Sequence, residues 1–215
     1  RPAALITAVR AEPKAPARTG DKWLAPGALP ADPSGALAAA LAAALRDGRP
    51  RLVRSGEPGG ADETEYFIDP LLPRPTLLIA GAGHIGKALC EIAALLDFEV
   101  VVFDDRADYA NASRLPRASR LVVDEIGRAL RGWPVDANTY VVVVTRGHHH
   151  DEEAIESVIR SPARYIGMIG SRRKVKLIFD DLREKGVDPA LLRRVYTPIG
   201  LDLGAVTVPE IAVAI

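Results

Sequence analysis

Thr76-Leu77-Leu78-Ile79-Ala80-Gly81-Ala82-Gly83-His84-Ile85-Gly86-Lys87 is the stretch that decides the fold. Its first five residues read as a buried strand. The strand runs directly into G-x-G-x-x-G, and a helix is predicted over His84–Leu96. The motif means little alone. Here a second predicted strand, Glu99–Asp104, ends in an acid 23 residues after Gly81, the context that a dinucleotide-binding crossover requires. Gly81 permits the tight turn, Gly83 lets a diphosphate approach bare backbone, and Gly86 lets helix and strand pack closely. Free N–H groups at the helix start then face the anion. The same letters fit G-x-x-x-x-G-K ending at Lys87, but a phosphate loop needs a hydroxyl next for magnesium, and Ala88 has none.

Outward from this turn, apolar strands alternate with amphipathic helices, which predicts an α/β fold with a Rossmann-like, doubly wound parallel sheet. Further strands are read at Arg120–Val123, Tyr140–Thr145, Ala163–Met168 and near Val195. Helices are read at Asp151–Ile159, Ser171–Lys185, Pro189–Arg194 and Val208–Ala214. Val141–Val144 lacks alternation, which buries both faces and places that strand centrally. Upstream lies a smaller α+β domain, residues 1–70, with strands at Ala4–Val9, Arg51–Arg54 and Glu65–Ile68 and a helix at Ala36–Arg46. Leu71–Pro75 reads as a linker, and the Rossmann-like domain covers 74–215.

In such a sheet the crevice opens where strand order reverses, between the loops after its first and fourth strands. The first loop carries His84. The other, Thr145–Asp151, carries Arg146, His148, His149 and His150, so all four histidines meet there. Three consecutive histidines do not converge on one metal from regular backbone, so no metal site is expected. One of them is the better candidate for handling a proton or orienting a ligand. Asp151-Glu152-Glu153 reads as a cap and acidic first turn. His84, His148, Asp151 and Asp202, the last in the rigid turn Pro198–Gly204, are the candidate catalytic residues.

Asp104 can accept hydrogen bonds from a ribose diol, with Asp105 beside it, while Arg106 suits a phosphate; a solvated strand end with a local ion pair is the plainer alternative. Gly170-Ser171-Arg172-Arg173-Lys174 puts three cations where a helix dipole disfavours them. An anion held by the helix start and Arg172 or Arg173 would compensate, as would pairing with Asp180 and Asp181. Thr207–Glu210 is a capping box, and Cys90 reads as a small core residue.

Lys+Arg and Asp+Glu are equal at 28 each, so no overall field attracts nucleic acid or a membrane, and any anion site must be local. A single cysteine excludes an internal disulfide and fits a cytoplasmic setting. No apolar run has the roughly 18 residues a membrane span needs. The opening Arg1–Leu5 is too short for a secretory leader, and the lack of an initiator Met suggests a processed or incomplete chain.

The strings GAGHIGKAL, DDR at 104–106, TRGHHHDEEAI at 145–155, YIGMIGSRRKV at 165–175 and PIGLDLGAVTVPEIAVAI at 198–215 resemble the XdhC/CoxI family. The resemblance spans about residues 66–215. Ala4–Ala25 is similar to the family's opening segment, whereas the family's Cys-Gly-Gly is replaced by Pro58-Gly59-Gly60. The resemblance implies a cytoplasmic, chaperone-like accessory factor for xanthine dehydrogenase. It would bind molybdenum cofactor (molybdopterin), protect it during sulfuration with a cysteine desulfurase as a partner, and deliver it to the apo-enzyme or a related molybdenum hydroxylase. A homodimer is also implied. The reading is a binding protein without turnover of its own, in which Gly81, Gly83, His84 and Gly86 hold a phosphorylated end and Arg146, Arg172 and Arg173 supply charge. The alternative is an NAD(P)-dependent oxidoreductase, but the upstream domain has no histidine to pair with a substrate.

Overall fold

Along Ala3–Ala11 buried and half-buried residues alternate, which makes this segment β1, with Ala4, Ile6 and Ala8 turned inward. The computed structural model describes residues 2–32 and 34–215; Arg1 of the leader reading and Pro33 lie outside them. β2 (Lys22–Ala25), α1 (Ala36–Asp47), β3 (Arg51–Ser55) and β4 (Thr64–Leu71) follow, giving an antiparallel sheet of order β2-β1-β4-β3. Leu37, Leu41 and Ala44 of α1 join Tyr66 and Ile68 in its core. Gly48, at φ 70, ends α1 and donates its N–H to the Ala44 carbonyl. The short β2 was not expected: its four residues bury only Ala25 and show too little alternation to read. Pro70 is tolerated in β4 because β3 pairs only as far as Ile68, so the strand beyond it has a free edge on that side.

The chain divides between Pro73 and Arg74 into two compact units. The second contains β5 (Thr76–Ala80), α2 (His84–Leu95), β6 (Glu99–Asp104), β7 (Arg120–Val123), α3 (Ile126–Arg131), β8 (Thr139–Val143), α4 (His148–Val158), β9 (Tyr165–Met168), α5 (Arg172–Glu184), α6 (Pro189–Leu192), β10 (Val195–Tyr196) and α7 (Val208–Ala214). All six strands are parallel, in the order β10-β9-β8-β5-β6-β7. The unit is therefore Rossmann-like, with β8 in the interior of the sheet and the reversal of strand order between β5 and β8.

Strand alternation sends Leu78 and Ala80 to one face, against Ile126, Ile155 and Ile178 of α3, α4 and α5. Leu77 and Ile79 face the other way, against Leu89, Cys90 and Ala212 of α2 and α7. α3 escapes a periodicity reading because six residues make fewer than two turns; its one local signal is Glu125, whose carboxylate accepts from the Gly127 and Arg128 amides. α4 begins three residues before the expected Asp151. Gly147, still extended at φ −156 and ψ 159, is the N-cap, and the histidine run winds as the first turn.

Candidate functional site

Each glycine of the β5–α2 turn has a different physical basis. Gly81 sits at φ +114, and a Cβ there would lie 2.6 Å from the Val144 carbonyl oxygen. At Gly86 a Cβ would come within 1.9 Å of the Gly81 carbonyl oxygen, so helix and strand meet backbone to backbone. Gly83 differs from both. It adopts φ −68 and ψ −168, which any residue can hold, and a Cβ there would meet nothing within 4 Å. It is also the N-cap of α2, with no side-chain cap bond, so the amides of the first turn open onto the space Gly83 leaves.

Asp104 is spent inside the protein. One of its oxygens accepts from the Ala82 amide at 2.7 Å and Arg106 Nη2 at 3.0 Å; the other accepts from the Arg106 amide at 3.0 Å and Nε at 2.8 Å. Four bonds fill a carboxylate's acceptor positions, leaving none for the ribose diol expected of it. Burial acts to push this carboxyl up, but the Arg106 guanidinium and the amides of Ala82 and Arg106 outweigh it and hold it below the usual carboxylate range. Arg106 is fixed in turn, its guanidinium 3.6 Å from the centre of the Tyr109 ring. The acid therefore braces the glycine turn.

Asp105, one residue on, is exposed and pairs with Arg146 at 2.7 Å. β6 and β8 are the two neighbours of β5, so this pair reaches across the strand that carries the glycine turn. An exposed pair of this kind contributes about 0–1 kcal/mol, little enough for an incoming anion to take Arg146.

On the far side of the reversal, Asp151 lies in the first turn of α4, as read, but it is fully buried and Gly147 holds the cap position. It accepts from the Thr145 hydroxyl at 2.5 Å and pairs with the Lys174 ammonium, tying the loop after β8 to the first turn of α5. Burial, the larger influence, raises its carboxyl above the usual range despite the help of Lys174 and Thr145. Lys174 thus has an internal reason to occupy a helix N-terminus. Arg172 and Arg173 do not: both are exposed, Asp180 pairs with Arg183, and no ion pair reaches either arginine among the described residues. Glu152, also read as a cap residue, is buried and pairs with Lys185 at 2.7 Å. The Ser171 hydroxyl caps α5 by accepting from the Lys174 amide at 3.3 Å, and Gly170 packs against the Lys174 and Val175 side chains.

Arg146, Gly147, His148, Ser171, Arg173 and Lys176 border a cavity of about 680 Å³ between α4 and α5. His84 opens α2 and His148 opens α4, both exposed; the His148 and His149 rings lie 4.0 Å apart between centres with their planes tilted by 39°, and His150 turns toward Glu153. Asp202 is exposed in the turn before α7. Among the described residues no three His, Cys, Asp or Glu side chains gather as a metal-binding group, and no helix is long and apolar enough to cross a membrane. Cys90 is buried, its thiol pushed up to about 11 by that burial. Sequence reasoning missed the Asp151–Lys174 tie and the close seat of Gly167, where a Cβ would meet Ile199 at 2.4 Å. Only an acid and a base on adjacent helix starts hinted at the first; the second left no signal.

A family model described as the XdhC Rossmann domain matches residues 77–215. The uncharacterized protein YqeB of Escherichia coli (strain K12) is 33% identical over 184 residues, covering 80% of this chain and 33% of that protein. A probable xanthine dehydrogenase subunit of Bacillus subtilis (strain 168) is 32% identical over 155 residues, covering 71% of this chain and 44% of that protein. The chain thus spans less than half the length of these relatives. A crystal structure from Bacillus halodurans described as a xanthine dehydrogenase aligns with a TM-score of 0.59 at 17% identity, covering 100% of this chain and 89% of that one, a likeness of fold.

Proposed function

The chain belongs to the XdhC Rossmann-domain family, and from that premise we propose that it is an accessory factor for xanthine dehydrogenase or a related molybdenum hydroxylase. It holds molybdenum cofactor by the phosphorylated end during sulfuration and insertion. One observation carries this reading: Gly83 is glycine where neither backbone conformation nor packing asks for it, beside amides at the start of α2 that no side chain caps. That space suits a phosphate approaching the backbone.

The residues present fit the phosphorylated end of the cofactor. The amides at Gly83, His84 and Ile85 would receive the phosphate, Asp104 would keep the turn in shape through Ala82, and Arg146 would move from Asp105 to the ligand. Arg172 and Arg173 add charge from α5. His84 and His148, flanking the reversal, would orient the ring system or exchange a proton with it. The bound group supplies the redox centre of the recipient enzyme; this chain's work is to bind, orient and release it. Cys90, buried with a raised thiol pKa, is no ligand for it. A cysteine desulfurase as sulfur donor, the apo-hydroxylase as recipient, a homodimer and a cytoplasmic setting complete the proposal.

A second reading, an NAD(P)-dependent oxidoreductase, is favoured by the strand order and the glycine spacing. Against it, the acid that would hold the ribose has its acceptor positions filled. Reconstitution tests the choice: apo-hydroxylase and cofactor are incubated with this protein or with Gly83→Val, and NAD binding is titrated in parallel. Faster recovery of hydroxylase activity with the intact protein alone supports the accessory role. No gain over cofactor by itself, with tight NAD binding, would replace it with the oxidoreductase.

A further inference from the structure

The cavity between α4 and α5 is set apart from the glycine turn, since none of the residues bordering it belongs to Gly81–Gly86. At about 680 Å³ it lies in the size range of small-molecule sites. Its charges sort into two groups. Arg146 is matched by Asp105, Lys174 by Asp151, and the bordering acid Asp180 by Arg183. Arg173 and Lys176 have no ion pair among the described residues, although both are exposed and both border the cavity. Spaced three residues apart on α5, they share one helix face and repel each other. The opposite wall is the start of α4, where Gly147 offers no side chain to the first-turn amides. Excess positive charge on both walls of a concavity is an arrangement that an anion relieves.

We infer that this cavity is an anion subsite in its own right, taking a phosphate-type group between Arg173, Lys176 and the first turn of α4. Lys174, held by the buried carboxylate of Asp151, acts as its fixed frame, while Arg146 stays on its exposed pair with Asp105. A ligand that filled both this cavity and the glycine turn would carry two anionic groups. That extension rests on the function proposed above, whereas anion binding in the cavity does not.

Isothermal titration with inorganic pyrophosphate at low ionic strength tests the inference. Four proteins are compared: the unaltered chain, Arg173→Ala/Lys176→Ala, Gly83→Val, and a charge-matched control, Arg117→Ala/Arg128→Ala. The altered cations are exposed, and Gly83 has open space, so all should fold. The Arg173/Lys176 variant is expected to bind at least tenfold more weakly and the charge-matched control within twofold of the unaltered chain, while Gly83→Val, which blocks only the glycine turn, keeps the binding that the Arg173/Lys176 variant loses. Absence of pyrophosphate binding by the unaltered chain overturns the inference. So does an equal loss in the charge-matched control, or a loss confined to Gly83→Val. That last result would leave the glycine turn as the anion site and the proposed function standing. Failure of cofactor delivery with pyrophosphate binding intact would strike the function and leave this cavity in place.

Discussion

Asp104→Asn separates a carboxylate that braces the turn from one kept free for a ligand. The amide is nearly isosteric, but only one of its heteroatoms accepts hydrogen bonds. Whichever way it rotates, its NH₂ faces two donors: Ala82 N–H with Arg106 Nη2, or Arg106 N–H with Nε. Two charge-assisted bonds are lost, each worth about 1.5–3 kcal/mol. Arg106 is partly exposed, so water recovers some of that loss, which places the expected destabilisation near the lower bound, about 3 kcal/mol, or a fall in Tm of roughly 10 °C for a unit of this size. The pH dependence has a defined sign. Asp104 titrates below its unfolded value, so its contribution is complete above the unfolded pKa of about 3.9 and fades as pH falls through the folded one. Urea denaturation of both proteins at pH 7 and near pH 3 should show a stability gap of about 3 kcal/mol that narrows in acid. A gap below about 1 kcal/mol at pH 7, or one that does not change with pH, would refute the bracing role.

The two helix-side glycines should part company. Gly86→Ala places a methyl against the Gly81 carbonyl and should cost about 3 kcal/mol or more in chemical denaturation, whereas Gly83→Ala should stay within about 0.5 kcal/mol of the parent. Asp151→Ala leaves the Lys174 ammonium and the Thr145 hydroxyl without their buried acceptor and should destabilise by about 3 kcal/mol; a change under 1 kcal/mol would mean that the tie between α4 and α5 contributes little. Cys90 should resist thiol reagents at pH 8 in the native protein and react only as fast as the chain unfolds, judged by mass spectrometry over a urea series.

The alternation of strand and helix, the central place of β8 and the reversal beside the glycine turn were all legible, because each is written in local periodicity or in residues with a backbone requirement. Partnership was not. Asp104 was readable as an acid at a strand end, yet its commitment to Ala82 and Arg106 depends on the loop after β6 folding back over the turn. Asp151 reads as a cap because caps are usually acidic; the start of α4 at Gly147 moves it a full turn inward, where it meets Lys174 from another helix. The cluster Arg172-Arg173-Lys174 was recognised as a conflict with the helix dipole, but which cation had an internal partner was decided by α4, outside its own segment. β2 and α3 are too short for any period to declare itself.

The claim that the amides at the start of α2 grip a phosphorylated ligand can be tested at those amides. Nitrogen-15 chemical shifts of the purified protein, followed during titration with molybdopterin, should move most at Gly83, His84 and Ile85, and Gly83→Val should weaken the binding they report at least tenfold. Saturable binding that leaves these three amides unmoved, with affinity unchanged by Gly83→Val, would contradict the account.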